Sequence, residues 1–170
     1  MSSIKLEGLV GPDGFVNDAG TDLLVALLEH LPGRHGRAFI PLKKAAGVPM
    51  AVELAIVRNG KVLLTYRNDA FFEGWHTPGS YMEQGESWQD TAQRCADREV
   101  KAKIQVVQCI GPAVNHPDNP RFHDACQLLL CEIVEGEPEA GEWFSECPSD
   151  LIVAHRPYWP IIEPYLQVSE

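Results

Sequence analysis

The chain lacks any apolar run long enough to cross a bilayer as a helix. Its longest runs, residues 23–28 and 127–131, fall far short of the ~20 residues such a span needs. It also lacks a CxxC pair, and its five cysteines (Cys95, Cys109, Cys126, Cys131 and Cys147) are an odd number. Both facts argue against a disulfide framework and for reduced thiols. Cys126 and Cys131 stand five apart in an expected strand, which puts them on opposite faces and excludes a metal shared between them. Basic residues are scarce, 14 Lys and Arg against 24 Asp and Glu for a net charge of −10. That balance opposes attraction to nucleic-acid backbones and anionic membranes, although arginines or a divalent cation can still reverse the field within one pocket. The first residues, Met1 to Gly8, have no continuous apolar core of the secretory kind, so a cytoplasmic location is expected.

With 170 residues and 45% apolar content, the chain is long enough to bury one sizeable core, since domains commonly run to roughly 100–200 residues. No repeat or low-complexity segment occurs, and Gly and Pro punctuate the pattern. Residues 1–49 carry one helical periodicity, over about 21–31 and ending at Pro32-Gly33; they are expected to form an extension packed on a main domain at 50–170. Residues 51–57 and 61–67 flank Asn59-Gly60, a pair suited to the positive φ angles of a tight hairpin turn. An irregular stretch, 68–86, precedes a helix at 87–101 that contains no Gly or Pro. Strands are expected at 104–114 and 125–134, with a loop at 115–121, and short helical turns near 148–150 and 159–166. The sum is a mixed α/β domain.

The segment Trp75-His76-Thr77-Pro78-Gly79-Ser80-Tyr81-Met82-Glu83-Gln84-Gly85-Glu86-Ser87 is a glycine-punctuated loop that becomes acidic as it enters the helix. Exposed N–H groups at a helix start attract anions, while carbonyls and carboxylates suit a hard cation.

This loop and helix resemble the signature of the Nudix hydrolase family, G-x5-E-x7-R-E-U-x-E-E-x-G-U, with U a bulky aliphatic residue. Pro78-Gly79-Ser80 stands where the family has Pro-Gly-Gly, Glu86 falls on the first signature Glu, and Arg94 on the signature Arg. The remainder becomes Arg94-Cys95-Ala96-Asp97-Arg98-Glu99-Val100-Lys101-Ala102, so two of the three helix carboxylates and the closing glycine are absent. A second register, with Arg98-Glu99-Val100 as the Arg-Glu-U element, would put Ala102 and Lys103 at the paired-glutamate positions; either register leaves Glu99. Trp75 ahead of the loop and Trp143-Phe144 after the last strands extend the resemblance over about 51–166.

The resemblance implies a Nudix-like α/β/α sandwich with a mixed β-sheet, and hydrolysis of a nucleoside diphosphate linked to another moiety, such as a nucleotide sugar, with Mg²⁺ or Mn²⁺. It implies metal ligands among Ser80, Glu86, Glu99 and Asp124, catalytic roles for Glu99, Arg98 and His123, and substrate contacts from Arg67, Trp75 and Arg94. A homodimer is plausible by the same resemblance. At 100° per residue, positions 95, 98 and 99 are expected to face one pocket. Their formal charge sums to near zero, which leaves an incomplete metal site. The loss pattern resembles that of the GDP-mannose mannosyl hydrolase branch, which attacks the sugar carbon with a histidine base from a later loop; His123 or His116 would take that part, since imidazole suits proton abstraction near neutrality. The alternative is a domain that has lost hydrolysis and binds a nucleotide as a sensor or interaction module.

Overall fold

The computed structural model describes residues 8–12, 16–29 and 47–167. By contacts the chain divides into two compact units, residues 1–42 and 43–170. In the first, helix α1 spans Asp18–Glu29. It begins three residues earlier than the periodicity suggested because Asn17 caps it, its Oδ1 accepting from the Gly20 N–H at 3.0 Å. The expected stop at Pro32-Gly33 lies outside the described residues.

The second unit is a seven-stranded mixed sheet. Strands β1 (Met50–Arg58) and β2 (Lys61–Asn68) form the anticipated hairpin, with Asn59 and Gly60 at φ 52° and 71° in its turn. The stretch expected to be irregular contains two short strands, β3 (Glu73–His76) and β4 (Gly79–Tyr81). Neither has a readable period because each is set by its partner: β3 pairs with β2, and β4 with the first half of β1. Then come α2 (Trp88–Glu99), β5 (Lys103–His116), β6 (Asp124–Glu135) and β7 (Glu142–Phe144). The sheet runs β3-β2-β1-β6-β5, with β1 and β6 parallel and the other pairs antiparallel. Residues 153–165 close the fold in short 3-10 and α turns.

The sheet buries both faces, and the alternation along β1 divides them. Val52, Leu54 and Ile56 pack with Ala92, Cys95 and Ala96 of α2 and with Val100 just after it. Ala51 and Ala55 look the other way, onto Leu151, Tyr158, Trp159 and Ile162. Cys126 and Cys131 separate onto these two cores, as their odd spacing requires. Helix α2 on one face and the closing turns on the other give the expected α/β/α layering. Among the described residues no helix is long and apolar enough to cross a membrane.

Candidate active site

The loop before α2 is fastened by one ion pair. Arg94 grips both carboxylate oxygens of Glu86, and donates to Ser80 Oγ at 3.2 Å and the Tyr81 carbonyl at 3.0 Å. Glu86 also accepts from the Glu83 N–H and the Thr91 hydroxyl, each at 2.8 Å. Ser87 then caps α2 in a reciprocal capping box with Asp90. Arg94, Glu86 and Ser80 are therefore engaged with one another, and their geometry sets the loop's shape.

At its other end α2 stops at Glu99, and Lys101 turns the chain out with φ 60° while its N–H reaches the Ala96 carbonyl at 2.7 Å. This left-handed residue falls where the signature places glycine. It decides between the two registers, since Ala102 and Lys103 lie beyond the helix. Of the three positions expected to share a pocket, Cys95 is fully buried in the core beneath the helix; its small neutral side chain packs among alanines and valines. Arg98 and Glu99 remain. Arg98 Nη2 donates to the Gly79 carbonyl at 3.0 Å and to Glu99 Oε1 at 2.5 Å, while Glu99 Oε2 is buried without a hydrogen-bond partner.

Glu99 opens onto a cleft of about 560 Å³ that is also lined by Arg67, Trp75, His76, Thr65 and Glu142. Arg67 is held by Asp69 at 2.8 Å and lies over the Phe72 ring. Trp75 packs edge-on to Tyr66 and Phe144. The cleft thus gathers Arg67, Trp75 and Glu99, but not His123 or Asp124. His123 is exposed, 2.6 Å from Asn115 Oδ1. Asp124 is buried in a different cluster, with His116, Tyr81 and Asn119.

Glu53, Thr77 and His155 form a buried polar group that the sequence reading missed. The Thr77 hydroxyl donates to Glu53 Oε2 at 2.7 Å and lies 2.8 Å from His155 Nδ1. With its proton committed to Glu53, it accepts from the imidazole, which fixes the His155 proton on Nδ1. His76 donates Nδ1–H to the Thr77 carbonyl at 2.7 Å, leaving Nε2 to accept from Thr65 at 3.2 Å. Burial, with Glu99 and Asp124 nearby, pushes the Glu53 carboxyl well above the usual carboxylate range. Burial drives His155 well below the usual imidazole range, and His76 down as well. Both imidazoles are therefore neutral at neutral pH, and they add no positive charge beside Glu53 and Glu99. A Cβ at Gly79 would strike the Glu53 carboxyl, so any larger residue there requires Glu53 to move. The only sequence signal for Glu53 is a carboxylate inside the apolar run Ala51-Val52-Glu53-Leu54-Ala55.

The donors open to a divalent cation are few. Glu99 Oε2 has no partner, and Glu53 lies close enough to feel its charge. The Gly79 carbonyl already holds the Arg98 guanidinium, and Glu86 is saturated by Arg94. This set suits one hard ion and not a cluster of them.

A family model described as the NUDIX domain matches residues 49–161. Among solved structures, the chain is similar to a MutT NUDIX hydrolase from Burkholderia pseudomallei: 24% identity, TM-score 0.58, covering 68% of this chain and 98% of that one. It is also similar to an ADP-ribose pyrophosphatase from Streptococcus suis, with 19% identity, TM-score 0.55 and coverage of 73% and 96%. For a UDP-X diphosphatase the values are 17%, 0.51, and 82% and 73%. No curated protein matches. At these identities the solved structures speak to the fold.

Proposed function

The chain belongs to the Nudix family, and from that premise we propose that it hydrolyses a nucleoside diphosphate linked to another moiety, a nucleotide sugar or similar compound. The observation that carries this reading is the orphaned Glu99 Oε2, buried at the wall of a cleft that also presents Arg67 and Trp75. An unpartnered buried carboxylate oxygen is costly unless a cation or a donor completes it. Glu99 and Glu53 are the side chains that would hold Mg²⁺ or Mn²⁺. The ion would supply charge neutralisation at the diphosphate.

The remaining roles fall to the chain's own groups. Arg67, steadied by Asp69, offers its guanidinium to phosphate oxygens, and Arg98 offers a second beside Glu99. Trp75 gives the cleft an aromatic wall for a base or sugar. His155 and His76, both neutral, leave the electrostatics of the cleft to the two arginines. Arg94 acts through the loop, by holding Glu86 and Ser80. The net charge of −10 supports a small-molecule substrate over nucleic acid or membrane, a cytoplasmic setting accords with the reduced thiols, and a homodimer is the expected assembly.

A second reading is favoured by one observation. Arg98 occupies the Gly79 carbonyl, a guanidinium where a metal ion would need a donor, and this accords with nucleotide binding without turnover. Phosphorus NMR with nucleoside triphosphates, nucleotide sugars, dinucleoside polyphosphates and ADP-ribose, with and without Mg²⁺, separates the two. Metal-dependent product formation by the wild type that disappears in Glu99→Gln is the expected result. Line broadening without product would replace the hydrolase by a binding module, and product at equal rates in Glu99→Gln would remove Glu99 from the mechanism.

A further inference from the structure

On the sheet face away from α2, at the junction of β5 and β6, three side chains with different ligating atoms converge. His116 Nδ1 lies 3.2 Å from Asp124 Oδ1 and 3.6 Å from Cys126 Sγ, and the three ligating atoms all fall within 4.8 Å of one another. Donors at about 2.0–2.3 Å from one tetrahedral zinc ion stand roughly 3.3–3.8 Å apart, so the two spacings from His116 are already close to those of a coordination sphere, and the Asp124–Cys126 spacing lies within 4.8 Å. His116 and Asp124 each have their second polar atom held from outside. His116 Nε2 faces the Tyr158 hydroxyl at 3.3 Å, while Asp124 Oδ2 accepts from Tyr81 at 2.5 Å and from Asn119 at 2.9 Å. Outer partners of this kind fix the ring orientation and carboxylate rotamer of metal ligands. The inward-facing atoms of His116 and Asp124 meet each other, and Cys126 Sγ meets both His116 and the Tyr158 side chain.

We propose that His116, Asp124 and Cys126 form a binding site for a borderline-soft divalent ion, zinc by preference. The site is distinct from the hard-cation position at Glu99. A thiolate, an imidazole and a carboxylate are the zinc ligand set, and sulfur disfavours Mg²⁺. His116 also lines a second groove, of about 500 Å³, with Phe71, Phe72, Asn119 and Pro157, which gives an ion a route in. Binding is balanced simply: the ion displaces the Cys126 thiol proton to solvent, and the imidazole proton moves from Nδ1 to Nε2, where the Tyr158 oxygen accepts it. Three protein ligands leave a fourth position for water or a donor group of a small molecule. The ion would also lock the 117–123 loop, whose Asn119 is tied to Asp124.

The test is a titration of the metal-free full-length protein with Co²⁺, a spectroscopic substitute for zinc. A thiolate-to-cobalt charge-transfer band with tetrahedral visible absorption is expected at one equivalent, displaced by Zn²⁺. The band should vanish in Cys126→Ser, and Zn²⁺ affinity should fall at least about a hundredfold in His116→Gln. It should persist in Glu99→Gln, which disables the other site, so the outcome does not depend on hydrolysis. Circular dichroism confirms that each variant is folded. Absence of a sulfur band, its survival in Cys126→Ser, or equal Zn²⁺ affinity in wild type and His116→Gln overturns the proposal.

Discussion

Arg98 donates a hydrogen bond across nineteen residues to the Gly79 carbonyl at 3.0 Å, and the same guanidinium nitrogen meets Glu99 Oε1 at 2.5 Å. A positive group thus sits between a loop carbonyl and a helix carboxylate, the pair of donors a divalent ion would use. It competes with such an ion on charge and on position. Replacing it by a carboxylate reverses both effects. Arg98→Glu should tighten Mn²⁺ binding by about tenfold or more, about 1.4 kcal/mol, read from the loss of free Mn²⁺ signal in electron paramagnetic resonance. Arg98→Lys should stay near the wild type. Equal Mn²⁺ affinity in wild type and Arg98→Glu would show that the guanidinium leaves the ion's position open.

Arg94 fastens the loop through Glu86, Ser80 and the Tyr81 carbonyl. Its side chain is 28% exposed and that of Glu86 16%, so solvent screens the pair only in part. Arg94→Ala leaves a half-buried carboxylate and a carbonyl unanswered, and should cost about 1–3 kcal/mol, measured by urea denaturation. Glu86→Gln keeps a hydrogen-bond acceptor and should cost less. A loss in Arg94→Ala no larger than that of an exposed arginine such as Arg58 would show that the clamp does not hold the loop.

The hairpin, α2 and the two long strands were legible because each carries its own signal: Asn59-Gly60 in the turn, a Gly-free helical run, and two strand-like stretches separated by the irregular proline-containing loop at 115–121. Glu86 and Arg94 were legible by spacing. Strands β3 and β4 were not, because three or four residues hold no period and their pairing is imposed by β1 and β2. Glu53 was missed for a related reason. Along β1 it shares a face with Ala51 and Ala55, and only the return of residues 150–155 beside β3, through the Trp75 and Ile152 backbone bonds, buries that face and brings His155 to Thr77. Cys95 was assigned to the pocket from helical angle alone, which gives direction but not depth.

Lys101 holds a left-handed backbone, φ 60°, at the exit of α2, with its side chain exposed. A Cβ in that region costs about 1 kcal/mol relative to glycine, and no packing is lost on removing it. Lys101→Gly should therefore raise stability by about 0.5–1 kcal/mol despite the added chain entropy of the unfolded state, whereas Lys101→Val should lower it by more than that. Thermal and chemical denaturation of the two variants check both signs. A stability loss in Lys101→Gly would mean that the lysine side chain makes a contribution beyond its backbone angle.

Glu53 and His155 give stability an opposed pH dependence. Burial raises the Glu53 carboxyl well above its ordinary value of 4.5 in the folded protein, so between that value and the folded one the native state keeps a proton that the unfolded chain releases. Stability from this group is complete below about pH 4.5 and declines as pH rises toward its folded value. His155 is depressed well below 6.5; its contribution is complete above about pH 6.5 and declines as pH falls toward its own folded value. Glu53→Gln keeps the shape and an acceptor for Thr77 but has no proton to lose. Its stability relative to wild type should be close to constant below pH 4.5 and grow steadily in its favour above it, in denaturation curves taken from pH 4 to 8. His155→Gln should gain relative to wild type in the other direction, as pH falls below 6.5. A Glu53→Gln difference that stays flat across the whole range would place an ionised carboxylate at Glu53 in the folded protein, held by a partner other than Thr77 and His155.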